Sequence, residues 1–272
     1  EHMVQALSLV VRQPEGTPER VRVVLFASAR GFEDACAPAL GRSCAGLGAA
    51  LRQGTPGYVL LMDGSGADAS RAAAYRELTH VFARRGGSPA WLSTGLAELY
   101  GSLSVRGTDA RVGRPIAGHL ALLQRPGALD VAALLGAPAT ASGDRQPAFV
   151  AGSWLLTHYL VVGTPDRKGQ LSSYLAGLQA GRSPIEACAT AFGSTPEALG
   201  GAVLAYAQGP GMNEVQLPLG ELPPDTVSAP RELSRDEALA SLATLATESP
   251  SGAPAQAPTT AAEPAAPAAA PG

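Results

Sequence analysis

The hydrophobic period of this chain changes near residue 67, and that change limits the fold more than any other feature. Before it, "VQALSLVVRQ" (4–13), "RVRVVLFASA" (20–29) and "GYVLLMDG" (57–64) are short β-branched runs bounded by glycine and proline, the pattern of strands on a pleated sheet. The turn-rich "PEGTPE" between the first two makes them neighbours, read as antiparallel, and "GFEDACAPAL" (31–40) reads as a short helix. After residue 67 apolar positions recur at helical spacing. The runs "IAGHLALL", "VAALLG", "PAFVAGSWLLTHYLVV", "GQLSSYLAGLQAG", "SPIEACATAFG" and "TPEALGGAVLAYAQG" follow one another between glycines and prolines. The expected class is α+β, a small mixed N-terminal sheet followed by a mainly helical C-terminal half.

The 272 residues, 46% of them hydrophobic, suffice for one core of about 200 residues or two small ones. A net charge of −3, with no Lys/Arg cluster longer than a pair, lacks the basic patch that nucleic acid requires. "WLLTHYLVV" covers about half of the roughly 20 residues a membrane helix needs, so no membrane span is expected. The opening "EHM" (1–3) reads as a cloning remnant, which leaves the compartment unassigned; a periplasmic or secreted location with its signal removed is the preferred reading. Cys36, Cys44 and Cys188 form no zinc-type pair of pairs. Cys36 and Cys44 are close enough for a small disulfide loop outside the cytosol, or they are buried free thiols.

The chemistry-bearing stretch is "YRELTHVFARRGGSPAWLSTGLAELYGS" (75–102). From Asp68 to Arg85 the spacing predicts a helix, with Asp68 or Ser70 as N-cap and Gly86-Gly87 as its stop, and Pro89 opens a second helix packed on the first. In zinc peptidases of the His-Glu-x-x-His type, histidines at i and i+4 put two imidazoles on one helix face and the intervening Glu activates the bound water. Here the five residues are Arg76, Glu77, Leu78, Thr79 and His80.

The segment resembles the gluzincin metallopeptidases, in which His-Glu-Leu-Thr-His is followed by Pro-x-Trp-Leu-x-Glu-Gly-x-Ala-Glu. "VRVVLFASARGFEDAC", "FVAGSWLLTHYLV" and "ACATAFGSTPEALGGAVLAYAQG" are similar to the flanking parts of bacterial members fused to helical repeats, so the resemblance spans roughly residues 20–210. It implies a domain over 4–210, with a sheet part (4–67), the motif helix pair (68–104) and a helical part (105–210). A linker strand "NEVQLPL" and a short helix "SRDEALASLATLA" capped by Ser234 occupy 211–248. The Ala/Pro-rich remainder, 249–272, is expected to be disordered.

Carried over residue by residue, the resemblance makes Glu77 the vestigial base and His80 the surviving ligand. Arg76 replaces the first ligand, Thr94 the ligand glutamate, and Val150 the tyrosine that polarises the substrate carbonyl. A zinc site worth about 10–16 kcal/mol over four ligands leaves roughly 3–4 for one histidine, a dissociation constant near or above millimolar. No cofactor is therefore expected, and the permanent charge of Arg76 opposes a dication. Arg76 and His80 share a helix face, as do Thr94 and Glu98, so Arg76 is placed to form an ion pair with Glu98 or Glu77.

The reading is a catalytically inactive, pseudopeptidase-like domain that binds a peptide or protein, or scaffolds. Two alternatives stay beside it. One is an active metal-dependent peptidase that holds zinc through His80, Glu77 and Glu98. The other is a purely structural subunit. His119 and His158, and the aromatics Trp91, Trp154, Tyr75, Tyr100 and Tyr159, are read as core or boundary residues.

Overall fold

The computed structural model describes residues 21–54, 57–106, 109–137, 147–163, 165–209, 212, 214–218 and 231–247. The expected first strand (4–13) and the tail (249–272) lie outside them. The class is α+β. Three strands, β1 (Val21–Phe26), β2 (Ala49–Gly54) and β3 (Gly57–Asp63), form a mixed sheet in the order β1-β3-β2. β1 runs parallel to β3 and β2 antiparallel to it.

One face of this sheet is covered by α1 (Ala29–Leu40), whose Phe32, Cys36 and Ala39 pack with Ala50, Val59 and Leu61. Ser28 caps α1 by accepting from the Gly31 N–H, and Gly41 ends it at φ 68°, a conformation that costs glycine little. Cys36 and Cys44 are joined in a disulfide, so the bridged reading holds, and Cys188 is a buried free thiol. The other face is covered by α2 (Ala67–Arg85), where Ala74 and Val81 meet Leu51 and Leu60. α2 begins at Ala67 with Gly66 as its N-cap and no side-chain cap. Asp68 sits in the first turn paired with Arg71, and Ser70 is buried, so neither caps the helix as expected.

α2 turns through Gly86 and Gly87 (φ 70°) into α3 (Ala90–Gly101), buried along its entire length. An all-buried helix needs neighbours on every side. α2 supplies one, and α6 (Pro147–His158), crossing at Gly95, supplies another. A Cβ on Gly95 would overlap Thr157 Oγ1 and the Ser153 carbonyl, so the close helix approach depends on glycine here. Trp91, Leu96, Leu99, Trp154 and Leu155 anchor the main core, each large apolar side chain worth about 1.5–3 kcal/mol on burial.

The helical half also holds α4 (Ala117–Leu123) and α5 (Val131–Gly136). α7 (Pro165–Gln179), α8 (Pro184–Phe192) and α9 (Pro196–Gln208) follow a π-helical turn at Tyr159–Gly163 that extends α6. The reading of 105–210 as a helical part needs one correction. β4 (Ser104–Arg106) and β5 (Asp109–Val112) pair antiparallel, and β6 (Val215–Pro218) joins β5 as a second small sheet. Strands of three or four residues are too short to display a period. The expected linker strand is thus integral to a sheet. α10 (Arg235–Thr247) begins in a capping box between Ser234 and Glu237 and packs Leu242 against α1.

Candidate functional site

The motif helix and its neighbour run antiparallel, which sets Arg76 opposite Glu98 and His80 opposite Ser93. Arg76 Nε lies 3.3 Å from Glu98 Oε1, and Glu98 is 3% exposed. A buried carboxylate needs compensating partners, and a second one comes from α4: His119 Nε2 lies 3.3 Å from Glu98 Oε2. Burial alone would raise the Glu98 carboxyl, but the hydrogen bond with His119 and the charge of Arg76 outweigh it and hold it below the usual carboxylate range. Arg76, Glu98 and His119 therefore tie α2, α3 and α4 together.

Space for the guanidinium is provided by Gly101. A Cβ there would fall 2.8 Å from Arg76 Nε and 3.0 Å from its Cγ. The His119 ring in turn rests on Trp154 of α6, ring centroids 5.5 Å apart. Val150 is one helical turn before Trp154, half-buried at the start of the same stripe of α6.

His80 Nδ1 lies 3.3 Å from the Ser93 hydroxyl, with the direction of the hydrogen bond set by the tautomer. Thr94, at the lost ligand position, does not turn toward His80 with its hydroxyl; Oγ1 donates to the Ala90 carbonyl at 2.9 Å within its own helix. Glu77, half-buried, is not paired with Arg76. The charges of Arg42 and Arg84 and the backbone N–H of Leu51 in β2 act on its carboxylate electrostatically. Burial raises its pKa, and those three groups only partly offset the rise.

His158 is a satisfied interior residue. Tyr206 donates its hydroxyl proton to Nδ1 at 2.9 Å and Nε2–H donates to the Gly113 carbonyl at 2.8 Å, an assignment that fixes the neutral tautomer. Burial lowers its pKa accordingly. His119 is a half-buried, hydrogen-bonded boundary residue, as read from sequence, and it belongs to the polar cluster as well. Ser93, Gly101, Arg42 and Arg84 also belong to the site, and nothing local in the sequence marked them. Only the i+4 relation of Thr94 to Glu98 pointed toward this corner of α3.

Chemically, the cluster is suited to holding helices rather than a metal. Both Glu98 oxygens face cationic or hydrogen-bonding side chains, and among the described residues no group of three His, Cys, Asp or Glu side chains is placed to share an ion. No protein-family model, curated protein or solved structure matches this chain.

Proposed function

We propose that this chain is a degenerate zincin-type domain, a pseudopeptidase that binds an extended peptide or protein segment without hydrolysing it. The observation that carries the reading is the ion pair between Arg76 and Glu98. It stands on the face of the motif helix where the gluzincin pattern puts its first ligand, and it cross-links the two helices that a metal would otherwise join. Glu77 is half-buried and under the charges of Arg42 and Arg84, in line with a vestigial base.

β2 is an edge strand among the described residues, and a ligand would dock along it. Extended peptides pair with such edges through main-chain hydrogen bonds. The active-peptidase alternative, zinc on His80, Glu77 and Glu98, would require Glu98 to leave both Arg76 and His119. A non-hydrolytic domain needs no such rearrangement.

Elemental analysis tests it, on protein purified without chelator. Wild type is expected to carry no stoichiometric zinc. Arg76→His with Thr94→Glu is expected to carry about one per chain, because three protein ligands then face the site. Stoichiometric zinc in wild type, with chelator-sensitive cleavage of unfolded protein, would overturn the reading.

A further inference from the structure

We infer that the two terminal nitrogens of Arg76 form a fork that takes a carboxylate of the bound peptide segment, either its C-terminal group or an Asp or Glu side chain. This rests on the reading of the chain as a peptide-binding domain and names the ligand chemistry of the exposed face of the Arg76–Glu98–His119 cluster.

The nearest approach of Arg76 to Glu98 is through Nε, 3.3 Å from Oε1. An arginine paired with one carboxylate commonly turns two parallel N–H groups to its two oxygens. Here the second oxygen is already taken, because Oε2 lies 3.3 Å from His119 Nε2. The terminal nitrogens are therefore not needed by Glu98. No hydrogen bond among the described residues occupies them, and of the three guanidinium nitrogens only Nε is buried.

The stem of the side chain is pinned at Gly101, where a Cβ would lie 2.8 Å from Nε, 3.0 Å from Cγ and 3.2 Å from Cζ. With that length held against α3, the exposed 31% of the side chain falls on its outer end. Glu98 keeps only 4% of its side-chain surface. The negative charge thus lies behind and the positive charge in front, so an approaching group meets N–H donors first.

The charge suits a single negative group. One turn to either side on α2 stand Ala72, Ala73, Thr79 and His80, none of them a permanent cation, whereas phosphate groups on peptides are met by clusters of arginines. A carboxylate is planar, singly charged and matched to two parallel N–H groups.

The experiment follows Arg76 and the peptide separately. Arginine side-chain nitrogen–proton resonances of the intact chain are recorded during titration with N-acetylglycine and with N-acetylglycinamide, which differ only in the carboxylate. The Arg76 terminal signals are expected to shift with the acid and stay in place with the amide. Three randomised heptapeptide pools, fluorescein-labelled at the N-terminus, are then compared by anisotropy: one with a free C-terminus, one amidated, and one amidated with a fixed central Asp. At least one carboxylate pool is expected to bind wild type about ten-fold tighter than the amidated pool, and the pool that does so identifies the source. In Arg76→Lys, which keeps a cation beside Glu98 but loses the fork, that preference is expected to fall to about two-fold or less.

Arg76 signals that do not respond to N-acetylglycine overturn the fork. Equal binding of all three pools to wild type also overturns it and leaves the peptide-binding reading standing. A carboxylate preference that survives intact in Arg76→Lys, shown to be folded by near-ultraviolet circular dichroism, overturns it as well, because the carboxylate is then held elsewhere. Shifted Arg76 signals with no binding of any pool defeat the peptide-binding reading and this inference with it. Should Arg76→Lys not fold, the wild-type signals and pools decide.

Discussion

Arg76 and Glu98 face each other across two antiparallel helices, Nε to Oε1 at 3.3 Å, with the carboxylate buried and the arginine side chain 31% exposed. That asymmetry decides what the pair does. Glu98 has no water to fall back on, so its ionised form depends on Arg76 and His119.

Arg76→Ala is expected to destabilise the domain by about 3 kcal/mol, the lower end of the range for a buried charge stripped of a partner, because His119 remains beside Glu98. Replacing both members, Arg76→Met with Glu98→Leu, is expected to recover most of that loss. Urea denaturation at pH 7 measures both. A cost below about 0.5 kcal/mol for Arg76→Ala would place the pair among surface contacts of no consequence.

Gly101→Ala tests the same contact from the other side. Its methyl would fall 2.8 Å from Arg76 Nε, so the guanidinium must move and the substitution is expected to destabilise by about 1–2 kcal/mol. In an Arg76→Ala background the obstacle is gone. There the change is expected to be neutral or slightly stabilising, since alanine is favoured over glycine in a helix. Equal effects in both backgrounds would show that Arg76 does not occupy this space.

Acid should weaken the fold through Glu98. Its folded-state carboxyl lies below the usual range, so the unfolded chain, near about 4.3, takes up protons first. The stabilisation is fully present above that pH and is lost as pH falls through the folded value. Melting temperature followed from pH 6 to pH 3 is expected to drop more steeply for wild type than for Glu98→Gln. Parallel curves would contradict this.

Gly95→Ala is expected to cost about 2–3 kcal/mol or to prevent folding, because the added carbon meets the Ser153 backbone and the Thr157 hydroxyl rather than a movable chain end. Expression and thermal melting report it. Tolerance with an unchanged melting point would mean that α3 and α6 do not approach as closely as described.

Reducing the Cys36–Cys44 bridge opens an eight-residue separation. Chain-entropy reasoning assigns such a loop about 2.5 kcal/mol. A melt with and without a phosphine reductant, compared with the Cys36→Ala, Cys44→Ala variant, is expected to show the loss only in wild type. Reductant-insensitive melting of wild type would show that the bridge contributes nothing.

Much of the site is ordinary helix grammar. The i, i+4 relation of Arg76 and His80, and that of Thr94 and Glu98, follows from 3.6 residues per turn once Gly86-Gly87 and Pro89 are read as a stop and a start. That was enough to nominate Arg76 and Glu98 as partners. It left Glu77 as an equal candidate, since one carboxylate a residue away on the same helix cannot be told from one across a helix interface without the packing.

The amino-acid order by itself determined the class, β1 and β3 of the early sheet, the helical second half and the two motif helices, because periodicity and Gly/Pro punctuation are local properties, whereas β2 (Ala49–Gly54) carried no such signal. Tertiary structure alone decided that His119 joins Glu98 from 21 residues further on and that β6 closes onto β5. Each of those depends on which surfaces meet, and a contact between distant segments leaves no trace in the spacing of either one.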